Sequence, residues 1–135
     1  MNERPLAGIT ILDLGDDATV FGARLLAELG AEVFRVESEG GDTVRARGPF
    51  LHGKVGPERS LAHLLFNAGK RSVAVNEASA EARSAVRRLA LACDAVIAPL
   101  YQTGAHRELF AALEAAPDGP GVVDAVFRRD RTSVV

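Results

Sequence analysis

Residues 9–37, ITILDLGDDATVFGARLLAELGAEVFRVE, constrain the fold of this chain more than any other stretch. They read as strand, tight turn, amphipathic helix and strand, a βαβ unit. Ile9, Ile11, Leu12 and Leu14 form an apolar run of strand length, and a run apolar on both faces fits a buried parallel strand. Asp16 or Asp17 is placed to cap the helix that follows. Phe21, Leu25 and Leu29 recur at helical spacing with Arg24 and Glu28 off that stripe, which marks them as the apolar face of the helix. Gly30 stands where a helix ends in a left-handed residue, and residues 31–36 form the second strand, tied to the first by a right-handed crossover.

The rest of the chain repeats the alternation. Residues 38–60 are rich in glycine, proline and charge without period, and read as a long surface loop, a type that tends to be functional or mobile. Its cations Arg45, Arg47, Lys54 and Arg59 have the chemistry to meet phosphates, but solvated loop charges explain them more simply. A short helix over residues 61–67, apolar at Leu61, Leu64 and Leu65, leads through Gly69 and Lys70 to a third strand at 72–75. Ser79 caps a helix whose Ala82, Val86, Leu89, Ala90 and Cys93 share one face while Arg83, Arg87 and Arg88 point away. Residues 94–100 make a fourth strand ending at Pro99, residues 105–116 a helix with Leu109, Phe110 and Leu113 inward, and residues 121–127 a fifth strand. Residues 128–135 read as a frayed tail. The expected architecture is a single α/β domain over residues 1–135, a doubly wound and mostly parallel, Rossmann-like sheet with helices on both faces.

Composition narrows the function classes. A chain of 135 residues with 47% apolar and 25% charged content is an ordinary globular domain, and its net charge of −2 argues against nucleic acid. No apolar run approaches the ~20 residues of a membrane helix, and MNERPLAG is too polar for a signal peptide, so neither a membrane nor secretion is expected and the location expected is cytoplasmic. The single cysteine, Cys93, excludes an internal disulfide and reads as a buried apolar residue. His52, His63 and His106 lack ligand spacing, so no metal is assigned.

In open α/β sheets ligands bind beyond the carboxyl ends of the strands, which selects the loops at residues 15–19, 37–42, 75–78 and 99–104. A dinucleotide site would show G-x-G-x-x-G in the first of these. Gly15, Asp16, Asp17, Ala18, Thr19 and Val20 stand there instead, with two carboxylates at the helix entrance that would repel a phosphate. An NAD or FAD site is therefore not expected, although Glu37 ends the second strand where a ribose-binding acid would be. Asp13, Asp16 and Asp17 half-match the acidic pocket of a receiver-like phosphoacceptor, but Asn76, Glu77 and Arg128 stand where its other aspartate and its lysine would be.

PLAGITILDLG, then RLLAELGAEVFRVE, then GGD at Gly40, Gly41 and Asp42, then NAGKRSVAV over residues 67–75 together resemble the amino-terminal portion of class III (CaiB/BaiF-type) CoA-transferases. The resemblance covers about the first hundred residues and implies the Rossmann-like fold, with coenzyme A or acyl-CoA as ligand and CoA transfer between carboxylic acids as the activity. It also implies a nucleophilic aspartate that forms an anhydride and then a CoA thioester. No residue matches that aspartate, since Asp124 and Asp130 lie too early, so no catalytic residue is assigned. Two coenzyme-contacting segments depart from the family pattern: Ala18, Thr19 and Val20 replace an alanine, glycine, proline turn, and Ala98, Pro99, Leu100, Tyr101 and Gln102 replace a glutamate, asparagine, phenylalanine segment. If coenzyme A binds, the residues expected to meet it are Ala18, Arg35, Ser38, Lys70 and Arg71, though a strand-end cation in solvent is the simpler account of Arg35.

Two readings of function follow. In one the chain is a truncated or degenerate transferase domain, a pseudoenzyme by itself, that works with a larger CoA-transferase-like chain. In the other it is a non-catalytic interaction domain, as a homo-oligomer or a partner subunit, that has lost coenzyme binding.

Overall fold

The computed structural model describes residues 4–99 and 104–123. The strands are β1 (Thr10–Asp13), β2 (Glu32–Ser38), β3 (Arg71–Val75), β4 (Ala95–Ile97) and β5 (Gly121–Val123). The α-helices are α1 (Val20–Glu28), α2 (Leu61–Phe66), α3 (Ala80–Ala92) and α4 (Gly104–Glu114). All strand pairs are parallel, in the order β3-β2-β1-β4-β5. The chain winds outward from β1 to β3, then crosses to β4 and β5 on the other side of β1. Right-handed crossovers then put α1 and α2 on one face and α3 and α4 on the other. The doubly wound α/β reading is the fold observed.

Two apolar clusters sandwich the sheet, and the period of two in the strands divides them. Ile11 and Val33, side by side in register, pack under Ala23 and Ala27 of α1. Leu12, Leu14 and Val96 point the other way, toward Ala90, Cys93, Phe110 and Leu113. The Cys93 thiol is buried, and burial pushes its pKa up, which suits an inert side chain.

The face that α1 presents to the sheet differs from the expected one. Val20, Ala23 and Ala27 are buried, whereas Phe21, Leu25 and Leu29 are each more than 40% exposed. Small residues win the inner face because they let the helix lie close on β1 and β2, and the large residues are left on the outside. On α2 the same holds: His63 is buried while Leu61, Leu64 and Leu65 are at least 40% exposed. The helix start is also corrected. Thr19, not Asp16 or Asp17, is the residue before the first turn of α1, and Asp16 instead holds the tight turn, accepting from Ala18 N at 3.0 Å through its side chain. At the other end Gly30 is left-handed with φ +109°, and Gly30 N and Ala31 N donate to Ala27 O and Leu26 O, as read from sequence.

Residues 38–60 are less structureless than expected. Two 3₁₀ turns (Thr43–Ala46 and Leu51–Gly53) lie within them, Val44 is buried, and Phe50 pairs with Ser60 in an antiparallel bridge. Ser60 Oγ lies 2.8 Å from Val44 O and 2.6 Å from Arg47 O while accepting from His63 N, so one hydroxyl ties the segment to the start of α2. The later part of the predicted fifth strand, the tail and Leu100 to Thr103 lie outside the described residues.

The inverted face of α1 is testable by urea unfolding. Ala23→Leu overfills the contact with the sheet and is expected to cost about 1–3 kcal/mol, whereas Leu25→Ala is expected to change stability by less than about 1 kcal/mol. The reverse ranking would put the leucine stripe inside.

Candidate functional site

The α1 face of the central strands changes character along its length. At the amino end it is apolar, with Ile11 and Val33; one pleat further on, the same face carries Asp13 and Arg35, again side by side, and then Glu37. All three charged residues are buried, and in such surroundings each needs a partner of opposite sign.

Asp13 is at the centre. Its Oδ1 accepts from Arg35 Nη1 at 3.1 Å and from Gly15 N at 2.9 Å, and its Oδ2 accepts from Lys70 Nζ at 2.9 Å. Gly15 has no room for a side chain, because a Cβ there would lie 1.9 Å from Thr19 Oγ1 and 2.9 Å from Asp13 Oδ1. Lys70 spends its other two N–H groups on Val20 O at 2.9 Å and Asn67 Oδ1 at 3.0 Å, so the ammonium is fully used inside the protein. Burial pulls the Lys70 pKa down even though Asp13 favours the charged form. Arg35 also donates through Nε and Nη2 to Asp42 Oδ2, at 2.9 and 2.6 Å. Burial opposes its charge, but Asp13 and Asp42 outweigh that and raise its pKa. Arg35 is thus a buried structural cation, not one in solvent.

A second pair extends the network. Arg45 grips Glu37 with two bonds of 2.7 Å, through Nε and Nη2, and its Nη1 reaches Glu58 and Pro57 O. The Glu37 carboxylate also accepts from Asp42 N at 2.7 Å and from Ser72 Oγ. The Arg45 bonds, assisted by Ser72 and Asp42 N, hold its pKa at about 2, against an ordinary 4.5. Glu37, read as occupying a ribose-binding position, is therefore committed to the scaffold. His63, behind Arg45, has its pKa lowered by burial and by that guanidinium.

Above this network a cleft of about 550 Å3 opens at the carboxyl edge of the sheet. Each of the four expected loops reaches it: Gly15, Asp16, Asp17 and Ala18 after β1, Ser38 at the end of β2 with Gly41 and Asp42 after it, Glu77 after β3, and Pro99 after β4. Among the expected ligand-contacting residues, Ala18, Arg35 and Ser38 line it. Lys70 and Arg71 do not. Lys70 borders a separate polar cavity of about 340 Å3 behind α2, and exposed Arg71 begins β3 and pairs with Glu32 at 2.9 Å. The half-matched phosphoacceptor pocket is not assembled either, since Asp13 is enclosed by Arg35 and Lys70, and Arg128 lies outside the described residues. So does most of the departing segment after β4, from Leu100 to Gln102.

Reasoning from sequence missed the Asp13–Arg35–Asp42 and Glu37–Arg45 pairings. A signal for part of them was present: Asp13 ends one strand, and Arg35 and Glu37 stand two residues apart on the strand that must be its neighbour.

Comparison with known proteins gives a consistent result. The model of CoA-transferase family III matches residues 6–116. The succinate–glutarate CoA-transferase of Agrobacterium fabrum is 38% identical over 104 residues, covering 74% of this chain and 26% of that protein. The succinyl-CoA:glutarate CoA-transferase of Homo sapiens is 40% identical over 98 residues, covering 71% and 22%. The crystal structure of a CAIB/BAIF family protein from Brucella suis superposes with a TM-score of 0.65 at 36% identity, covering 79% of this chain and 28% of that one. This chain therefore spans about a quarter of the length of these relatives.

The Glu37 pairing fixes a direction of pH dependence. A carboxyl with a folded pKa below its unfolded one contributes stability that is complete above about pH 4.5 and is lost as pH falls toward about 2. Urea midpoints measured across that window are expected to fall for the native protein and to fall less for Glu37→Gln. Equal slopes would place Glu37 outside the network. Asp13→Asn, which leaves Arg35 and Lys70 short of a counter-charge, is expected to cost about 3–5 kcal/mol in the same assay at pH 7.

Proposed function

The chain belongs to CoA-transferase family III, and from that premise we propose that it forms the coenzyme-facing amino-terminal sheet of a CoA-transferase, with coenzyme A or an acyl-CoA lying in the carboxyl-edge cleft. The observation that carries this is the convergence of all four strand-end loops on one cleft of about 550 Å3, a volume suited to part of a ligand of that size. Ala18, on the loop after β1, and Ser38, at the end of β2, offer the ligand direct contact. Arg35 acts as a positioning residue, joining the loops after β1 and β2 through Asp13 and Asp42.

Transfer itself, under this reading, needs groups from outside these 135 residues. The carboxylates whose partners are described at the cleft are engaged: Asp42 by Arg35, Glu37 by Arg45 and Asp17 by Arg47. A carboxylate nucleophile must instead be presented, unpaired, to the acyl carbon. Calorimetric titration with CoA is expected to show binding that Ala18→Trp, which fills the cleft from an exposed position, weakens at least about tenfold, or ~1.4 kcal/mol. The same protein is expected to move no CoA from succinyl-CoA to glutarate. Binding indifferent to Ala18→Trp would dislodge the cleft from the proposal, and turnover would dislodge the need for outside groups.

One observation favours a second reading, a domain that works through protein contacts. Phe21 and Leu25 on α1, Leu29 just after it, and Leu61, Leu64 and Leu65 on α2 are exposed on two helices that meet through a Phe21–Phe66 edge contact of 6.2 Å. A stable homo-oligomer in light scattering, lost on replacing Leu25 and Leu65 by aspartate, together with no CoA binding, is the outcome this reading requires.

A further inference from the structure

The cleft poses an electrostatic problem. Among the described residues Asp16, Asp17, Glu37, Asp42 and Glu77 line it, against Arg35 alone. A phosphate-bearing ligand entering such a site needs a cation with donors to spare. Lys70 has none, its three N–H groups being taken by Asp13, Val20 O and Asn67. Arg35 and Arg45 each make four hydrogen bonds to protein acceptors. Arg47 differs: it meets Asp17 through one Nη2 bond, and 54% of its side chain is exposed.

Asp17 lines the cleft, so Arg47 stands one hydrogen bond from its mouth. The pair links the β1–α1 loop to the segment after the first 3₁₀ turn, positions 30 residues apart in sequence. It is also the kind of ion pair that is easily given up, since both side chains are about half exposed and such pairs contribute little net stability. A phosphate oxygen offers Arg47 a stronger, bidentate partner than the carboxylate it holds at rest.

We propose that Arg47 is the phosphate-anchoring residue of the cleft, exchanging Asp17 for a phosphate group of the bound ligand. Asp17 is then a resting counter-ion that keeps Arg47 poised at the mouth and competes with the ligand for it. The inference rests on the CoA reading of the cleft and adds to it the residue that recognises the charged end.

CoA is titrated into the native protein and into Arg47→Ala, Arg47→Lys, Asp17→Asn and Ala18→Trp, at low and high NaCl, with thermal unfolding recorded for each. Both side chains of the pair are partly solvated, so all variants at these two positions are expected to fold. Arg47→Ala is expected to bind CoA about tenfold more weakly, with a shallower salt dependence, because one phosphate-facing charge is gone. Arg47→Lys recovers part of the loss, and Asp17→Asn binds about threefold more tightly, because the competitor is removed. CoA affinity unchanged in Arg47→Ala, in a protein whose binding Ala18→Trp weakens, would overturn the anchoring role and leave the cleft reading standing. Weaker binding by Asp17→Asn would overturn the exchange. A native protein that binds no CoA would overturn both the anchor and the reading beneath it.

Discussion

A buried carboxylate, Asp13, holds the functional end of this molecule together. It ends the central strand, is fully removed from solvent, and receives Arg35 from β2, Lys70 from the turn before β3, and the backbone of Gly15. β1, β2 and the entry to β3 are thereby tied at one level by charge, where one pleat earlier β1 and β2 are joined by the apolar contact of Ile11 and Val33. The cost of burying an ion is recovered only when its lone pairs are met, and here each element that meets them also positions a loop of the cleft. Lys70 reaches Val20 O at the start of α1; Arg35 reaches Asp42, whose carboxylate caps the first 3₁₀ turn.

The second pair repeats this one pleat further along β2. Arg45 arises from the segment beyond β2 yet turns back to grip Glu37 on that strand and Glu58 further along its own loop. Val44 and the Ser60 hydroxyl close the same connection with one apolar and one polar contact. A connection of more than twenty residues is therefore held as a folded flap whose inner margin forms one wall of the cleft.

How much of this was legible depended on which force decides each feature. The order and type of elements follow from hydrophobic period and glycine placement, and Ser79, Gly30 and the Phe110–Leu113 face stand where the sequence puts them. The packed face of α1 was misread because size misleads at a helix–sheet contact: Ala23 and Ala27 fit closely, and Phe21, Leu25 and Leu29 do not. The site was legible as a set of four loops but not as a set of side chains. A lone arginine in RVE does not announce that it points inward; its neighbour across the ladder, Asp13, decides that. Arg71 and Lys70, adjacent in sequence, part company for the same reason, one pairing with Glu32 in solvent and the other sealed against Asp13.

The pairing of charges also separates scaffold from recognition. Arg35, Arg45 and Lys70 are more heavily bonded than a ligand-binding cation needs to be, and freeing any of them would expose a buried carboxylate. A ligand cannot repay that loss within one contact. Under the proposed reading, recognition at this edge falls to groups whose removal from the protein costs little: backbone and small side chains such as Ala18 and Ser38, and the loosely held guanidinium of Arg47. On that proposal, the same reasoning reconciles a cleft with so many carboxylates with an anionic ligand. Asp42, Glu37 and Asp17 are each neutralised locally by an arginine, so what a phosphate meets at the mouth is set by how firmly the outermost of those arginines is held.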